Sequence, residues 1–481
     1  MVFLISTIYL SILILTIVRI LLDTRSTPKT LAYLLLVIVF PVVGIVFYYA
    51  VGINLRHRQS KTRMAIAQKE LDADFFTHTK DETNEPLENY FQELAQYSEL
   101  VKFLHKMGGE ILSENYFKLL ENGEVKFPEV LATLEQAESF IHIEYYDWEN
   151  DIRGNQIKDI LLKKASEGVQ VRVLYDDYAS RKIKRNIVRE LKSGGVAVFP
   201  KIKVKLKHFA NRMNHRDHRK VIIVDGKYGF VGGINISDRY DNSIDTGLWW
   251  RDTHTRVSGK LALSLQRHFI VSWNSSQTEK LSYSSTLFPE ESLPSKEGVP
   301  ALAQVVAGGP VYPLSNIMLT YFKIFNLANK SLYITNPYFI PNESILDALK
   351  QAALSGVDVR IMVPKKSDSM IVGLSANSFF EELLDAGVRI FLYTKGFVHA
   401  KTVVADQKLS VVGTANMDIR SFDLNFEIMS VIYSDEFAGQ MENMFFRDLK
   451  ECKEIDPVAW KNRGLAIRLV ENTARLVSAF L

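Results

Sequence analysis

The chain has a single cysteine, Cys452, in 481 residues, so neither an intramolecular disulfide nor a multi-cysteine metal site can be built. It also lacks a surplus of one charge. The 58 basic side chains face 55 acidic ones, and a net +3 is no nucleic-acid footprint by itself. Charge is missing altogether from Val2 to Val18 and again from Thr30 to Leu55. The second run is long enough to cross a hydrocarbon core of about 30 Å, more than a buried globular helix needs. The first lacks the basic start and small-residue cleavage site of a secretory leader, and another span follows at once. Residues 1–55 are therefore expected to form two transmembrane helices in a hairpin. Arg19 snorkels to the interface and Pro41 kinks the second span. Arg56, Arg58, Lys61 and Arg63 follow the second span, whereas the intervening loop offers Arg25 and Lys29. Basic flanks favour the cytoplasmic side, so the rest of the chain is expected there.

Residues 56–130 read as a charged helical connector, with a polar join from Asp72 to Glu88. A recurring pattern then begins. Phe140–Tyr146 alternates like a strand, 155–167 is helix-like, and Gly168–Leu174 and Gly195–Val198 are further strands. The later half repeats this with Ser331–Ile334, Ile345–Leu354, Gly356–Ile361 and Gly387–Ile390. Corresponding landmarks are separated by nearly one offset, which marks a duplicated α/β unit with mixed sheets flanked by helices. The expected domains are 131–290 and 291–481.

Within each unit sits one polar pattern. His218, Lys220, Asp225 and Asn235 follow H-x-K-x4-D-x6-G-G-x-N, and His399, Lys401, Asp406 and Asn416 recur at the same spacing, with Gly413-Thr414 in place of the glycine pair. Residues two apart share a face of a strand, so each histidine and lysine point the same way. The runs Val221–Val224 and Thr402–Ala405 fit buried central strands, and Asp225-Gly226 a tight turn. Brought face to face, the copies place two imidazoles, two ammonium groups and two amides in one cleft. This suits a phosphodiester whose negative charge is held while a phosphorus–oxygen bond breaks. One histidine can attack phosphorus and the other can protonate the departing alcohol, starting from opposite protonation states. Zinc is the competing explanation of these histidines. The first copy offers His215 and Asp217 beside His218, but the second has no matching ligand, which favours an anion over a metal.

These motifs resemble the phospholipase D superfamily and, within it, the bacterial cardiolipin synthases. The resemblance extends to Phe230–Ile236, Trp250-Arg251-Asp252-Thr253-His254, Asn336–Pro341, Gly396–Thr402, Gly413–Phe422 and Leu424-Asn425-Phe426-Glu427, and to the paired apolar runs. It implies a pseudo-twofold pair of domains, one shared active site, a phosphohistidine intermediate, and neither metal nor cofactor. It also implies that His218, Lys220, Asp225, His399, Lys401 and Asp406 match the family's catalytic positions. By analogy His218 is the nucleophile and His399 the general acid. Lys220, Lys401, Asn235 and Asn416 would hold the phosphate, while Glu427 and Asp252 orient the histidines. Asp225 and Asp406, at turns, are equally well read as structural supports. The activity implied is phosphatidyl transfer between two phosphatidylglycerols, giving cardiolipin and glycerol, at a bacterial inner membrane. The partners implied are phosphatidylglycerol and other anionic phospholipids, not nucleic acid. A membrane-tethered phospholipase D, a nuclease and a non-catalytic lipid-binding scaffold are the rivals.

Three further stretches carry blander expectations. Glu144-Tyr145-Tyr146-Asp147-Trp148 reads as core packing rather than the lining of a lipid channel. The alternating Lys201–His208 fits a solvated edge strand or a strand end on headgroups. Ala466–Leu481 is an amphipathic helix that either rests on a membrane or caps a domain.

Overall fold

The computed structural model describes residues 2–23, 27–49, 55–79, 84–203, 215–289 and 295–476. The alternating part of Lys201–His208 beyond residue 203, and the last five residues of the C-terminal helix expected from the sequence, lie outside them.

The first apolar run is a 22-residue helix, Val2–Asp23, about 33 Å long at 1.5 Å per residue. It is long and apolar enough to cross a membrane. The second run is not one helix. It divides into Thr27–Val39 and Pro41–Phe47 at Phe40, whose φ of −126° and ψ of 68° leave the helical region. Proline lacks the N–H that would continue the ladder, so Pro41 opens a new helix rather than bending the old one. Ile20, Tyr33, Val37 and Tyr48 form a small core between these helices, while Leu15, Leu22, Leu35 and Val42 face outward. Arg19 pairs with Asp23 at 3.2 Å, near the helix end as expected.

The remainder is organised on one mixed sheet. The first half of the chain contains β1 (Ser113–Glu121), β2 (Phe140–Tyr145), β3 (Gln170–Tyr175), β4 (Ala197–Pro200), β5 (Lys220–Val224), β6 (Tyr228–Gly232), β7 (Trp250–Arg251) and β8 (Thr253–Gly259). The second contains β9 (Val299–Gly308), β10 (Ser331–Thr335), β11 (Phe339–Ile340), β12 (Asp358–Pro364), β13 (Arg389–Tyr393), β14 (Phe397–Val398), β15 (Thr402–Ala405), β16 (Leu409–Gly413), β17 (Met417–Asp418), β18 (Glu427–Tyr433) and β19 (Cys452–Glu454). Four of these lie outside the large sheet, in the short pairs β7-β14 and β11-β17. Outward from the centre, one half runs β1-β8-β6-β5-β2-β3-β4 and the other β9-β18-β16-β15-β10-β12-β13, with β19 added at the edge. The halves repeat the same order and meet where β1 pairs antiparallel with β9, Phe117 opposite Val299. This is the duplicated α/β architecture expected from the repeat.

β1 falls within the stretch expected to be purely helical. Its inward positions Ser113, Asn115, Phe117 and Leu120 do not keep a strict two-residue alternation, which hid the strand in the sequence. The preceding helix Ser98–Gly108 buries Leu100, Val101 and Leu104 in the core of the second half. Helix Leu55–Thr79 packs on helix Lys260–Ser276, where Arg267 bridges Asp72 at 3.1 Å and Glu110 at 3.0 Å.

The uninterrupted apolar runs of β5 and β15 have a simple cause. Ile222 and Val224 enter one core while Val221 and Ile223 enter the core on the opposite face. Val403 and Val404 divide in the same way. With both faces covered, the strands stay apolar beyond their first residues, Lys220 and Thr402.

Candidate active site

Two short backbone links carry each half's motif across to the other. β14 pairs in parallel with β7, and His399 N–H donates to Arg251 O at 2.7 Å. A matching bridge joins Asp217 to Phe426, with His218 N–H donating to Phe426 O at 3.0 Å. In both cases the residue after the accepting carbonyl is a carboxylate. His399 Nδ1 therefore lies 2.7 Å from Asp252 Oδ2, and His218 Nδ1 lies 2.9 and 3.0 Å from the two oxygens of Glu427. Each histidine is oriented by an acid from the other half.

The lysines repeat one another as closely. Lys220 Nζ donates to His218 O at 2.7 Å, and Lys401 Nζ donates to His399 O. Both are buried. His218, His399, Asn235 and Asn416 all line one cavity of about 670 Å³. Asn235 Nδ2 donates to Tyr240 Oη at 2.6 Å, and the Oδ1 atoms of both asparagines have no partner among the described residues. A buried amide with one unsatisfied atom is ready for a ligand that supplies the complementary group.

Asp225 and Asp406 are elsewhere. Asp225 accepts the N–H groups of Glu138, Ser139 and Phe140, each at 2.8 Å, at the start of β2. Asp406 accepts those of Asn329, Lys330 and Ser331 at the start of β10, with Gln96 and Tyr97 added from the N-terminal segment. Both residues adopt positive φ, 53° and 55°, at the far end of the strand from the cavity. They anchor the strand that neighbours the motif and are not among the residues that line the cavity. Burial would raise the Asp406 carboxyl, but the N–H donors hold it below the usual carboxylate value.

Confinement sets the electrostatics. Burial pushes the His218 imidazole down to about 4, against the attraction of Glu427 and with help from Lys220. Burial also lowers His399 far below its ordinary value, and Lys401, Lys220 and His218 add to the shift. Lys220 falls to about 8 and Lys401 to about 7, both through burial, with nearby carboxylates opposing. Asp252 is raised to about 6 by burial, with Lys401 opposing. Burial would raise Glu427 as well, but His218 and Lys220 outweigh it and keep this carboxyl low. The cleft thus collects basic groups whose cationic forms are costly until an anion arrives.

Several cavity residues escaped the sequence. Tyr146, expected in the core, lines the cavity with its ring edge-on to His218 at 4.6 Å. Its neighbours Tyr145 and Trp148 are buried as expected. Arg216, Arg239 and Arg420 also line the cavity, as do Trp250 and Tyr338. Tyr146 directly follows β2, the strand beside the motif strand, which is a usable signal; the lone arginines offered none. The neighbours of His218 suggested for zinc are engaged otherwise. His215 Nδ1 contacts Leu424 O at 3.1 Å and Asp217 pairs with Lys201 at 3.2 Å. Among the described residues no group of His, Cys, Asp and Glu is arranged to hold a metal ion.

The duplicated sheet is similar to the crystal structure of phosphatidylserine synthase from Haemophilus influenzae Rd KW20. The TM-score is 0.58 at 14% identity, over 76% of this chain and 95% of that one, which shows the fold class. The family model "Cardiolipin synthase, PLD-like domain" matches residues 130–273 and 321–449, and a phospholipase D-nuclease N-terminal model matches 11–52. Cardiolipin synthase from Halalkalibacterium halodurans is 38% identical over 96% of this chain and 90% of its own length. Its counterpart from Listeria monocytogenes serotype 4b is 36% identical over 96% of both. The chain belongs to the cardiolipin synthase family of phospholipase D-like proteins.

Proposed function

We propose that this phosphatidyltransferase joins two phosphatidylglycerol molecules into cardiolipin and glycerol through a covalent phosphohistidine. His218 Nε2 attacks the phosphorus of the first lipid. The oxygen–phosphorus bond to the headgroup glycerol breaks, and His399 supplies the proton that the departing alkoxide needs. His399 then takes the proton from a hydroxyl of the second phosphatidylglycerol, whose oxygen displaces His218. Lys220 and Lys401 meet the phosphoryl charge, with Asn235 and Asn416 beside them. Glu427 and Asp252 hold the imidazoles in the tautomer that presents Nε2. An anion between the two ammonium groups raises the depressed pKa of its neighbours, which loads the proton that His399 must give.

The observation that carries this function is the single cavity lined by both histidines, each backed by a carboxylate from the opposite half. Two imidazoles positioned for opposite proton tasks suit a double displacement better than passive lipid binding. The apolar helices before residue 50 favour a multi-pass membrane protein with its catalytic halves on the cytoplasmic side, consistent with Arg56, Arg58, Lys61 and Arg63 just beyond them. The family match on 130–273 and 321–449 supports two domains near 131–290 and 291–481, with β1 (Ser113–Glu121) joining the first from before residue 131.

Lipid mass spectrometry of the purified protein in phosphatidylglycerol vesicles tests the function. Cardiolipin should accumulate, and added glycerol should drive it back toward phosphatidylglycerol, because one phosphodiester replaces another. Phosphatidic acid formed irrespective of glycerol would mean that water is the acceptor and the protein a phospholipase.

A further inference from the structure

The helix Leu465–Leu476 is amphipathic in the reverse sense for a surface helix of a soluble domain. Its charged side faces the protein. Glu471 is only 2% exposed, accepting from Arg463 at 2.8 Å and Asn377 at 3.1 Å. Arg468 reaches Glu381 at 3.0 Å, and Arg475 reaches Glu382 at 3.1 Å. Its leucine side faces out, with Leu465 82%, Leu469 69% and Leu476 76% exposed. These three positions fall within about 40° of one another at 100° per residue, so they form one stripe.

The helix it packs against, Met370–Asn377, also exposes apolar side chains, with Met370 78% exposed and Ile371 facing out. That second helix borders the active site, because Val372, and Asp368 and Ser369 at its start, line the cavity. Exposed Lys365 and Lys366 lie just before it. Exposed apolar side chains on two packed helices, with ammonium groups beside them in the chain, therefore extend to the rim of the cavity.

We propose that this two-helix face docks on the membrane, with its leucine stripe in the boundary between headgroups and acyl chains. This sets the cavity mouth against the lipid surface. An interfacial helix binds with its apolar face in that boundary and cations near anionic headgroups. The chain also carries a helix suited to span a bilayer, so a bilayer is at hand. A second copy of the chain seated on the same face would cover the rim at Val372 and Ser369 and obstruct the entry of lipids. The choice of partner rests on the proposed phosphatidyl transfer, but the decisive measurement below needs no turnover.

The test uses the full-length protein in nanodiscs of phosphatidylglycerol and phosphatidylcholine. Leu469→Cys in a Cys452→Ser background carries an environment-sensitive fluorophore. Leu354→Cys is the comparison site, since Leu354 is 74% exposed but precedes β12, whereas the docking face follows its other end. Spin-labelled lipid should quench the probe at 469 at least about threefold more than at 354, and aqueous iodide should do the reverse. Equal iodide quenching at both sites would overturn the proposal. So would shielding at 469 that occurs only in discs holding two copies, which would assign the face to self-association. Leu465→Glu/Leu469→Glu should slow turnover of bilayer phosphatidylglycerol about tenfold while sparing short-chain lipid dispersed in micelles. Equal loss on both substrates would contradict docking. Lipid quenching at 469 without cardiolipin formation would uphold the surface and reject the transfer function.

Discussion

Asp252 and His399 stand 147 positions apart, yet their side chains meet at 2.7 Å across the boundary between the two halves. The reciprocal contact joins His218 to Glu427 over 209 positions. Neither half alone holds a complete histidine–carboxylate pair, so the cavity is assembled only when the duplicated units close on each other. The pairs are not chemically equal. Glu427 is kept low by its cationic neighbours, and Thr414 Oγ1 donates to it at 2.5 Å, whereas burial raises Asp252. The carboxyl held low belongs to the histidine assigned to attack, and the one raised by burial to the histidine assigned to shuttle a proton.

That asymmetry can be measured with a substrate whose leaving group needs no acid. On phosphatidyl-p-nitrophenol, His399→Ala and Asp252→Asn should each still release a stoichiometric burst of p-nitrophenol. On phosphatidylglycerol, His399→Ala should lose at least ~10²-fold in turnover, the usual worth of a general acid. His218→Ala should give no burst on either substrate. A burst from His218→Ala and none from His399→Ala would reverse the two roles.

The pH profile of kcat/KM should report the free cleft. With Lys401 near 7 and Lys220 near 8, raising the pH through that range removes the charges that receive the phosphodiester. The rate should therefore fall on the alkaline side with a midpoint between about 7 and 8. Protonation of His218 is confined to the region near 4, so it leaves the neutral range untouched. Lys401→Arg cannot deprotonate there and should move the alkaline limb upward, even at lower absolute activity. An alkaline limb that ignores both lysines would rule out this account of anion binding.

A small difference between the motif copies gives a third expectation. A Cβ built on Gly233 would stand 2.1 Å from Asp252 Oδ1, and the same position in the second copy is Thr414, whose hydroxyl serves Glu427. Gly233→Ala must displace a buried carboxylate and with it His399, so its kinetics should match those of Asp252→Asn, burst included. Thr414→Ala loses one hydrogen bond and fits the space, so it should cost about tenfold or less. Equal and mild effects from both would show that Asp252 does not position His399.

Much of this site was legible in the sequence because the motif occurs twice. A lone H-x-K is common, but two copies with the same extension single out His218, Lys220, His399 and Lys401, and the resemblance added Glu427 and Asp252. The crosswise pairing was not legible. It depends on two short bridges, Phe397 to Trp250 and Asp217 to Phe426, that carry no periodicity. β1 was missed because only part of one face is buried, and Tyr146 because a strand-end tyrosine serves a core as well as a cavity. The break at Phe40 follows from Pro41, which was visible, although its consequence depends on how the two short helices pack.

The two motif aspartates supply the last prediction, since their geometry separates support from chemistry. Asp225 uses both oxygens to satisfy three backbone N–H groups at the start of β2. Its positive φ is one that Asn tolerates and Ala does not. Asp225→Asn keeps one accepting oxygen and turns an amide N–H toward a former donor, so it should cost roughly 1–3 kcal/mol. Asp225→Ala leaves all three donors unserved and adds about 1–2 kcal/mol of backbone strain. Both variants should unfold at lower temperature yet retain near-normal kcat per folded molecule. At Asp406 the depressed folded-state pKa means that its stabilisation is complete above the ordinary carboxylate value and fades as pH falls through the lower folded value. Asp406→Asn should therefore reduce stability at pH 7 but make little difference in strong acid. A variant of Asp225 with unchanged unfolding temperature and a turnover loss beyond ~10²-fold would place this aspartate in the chemistry after all.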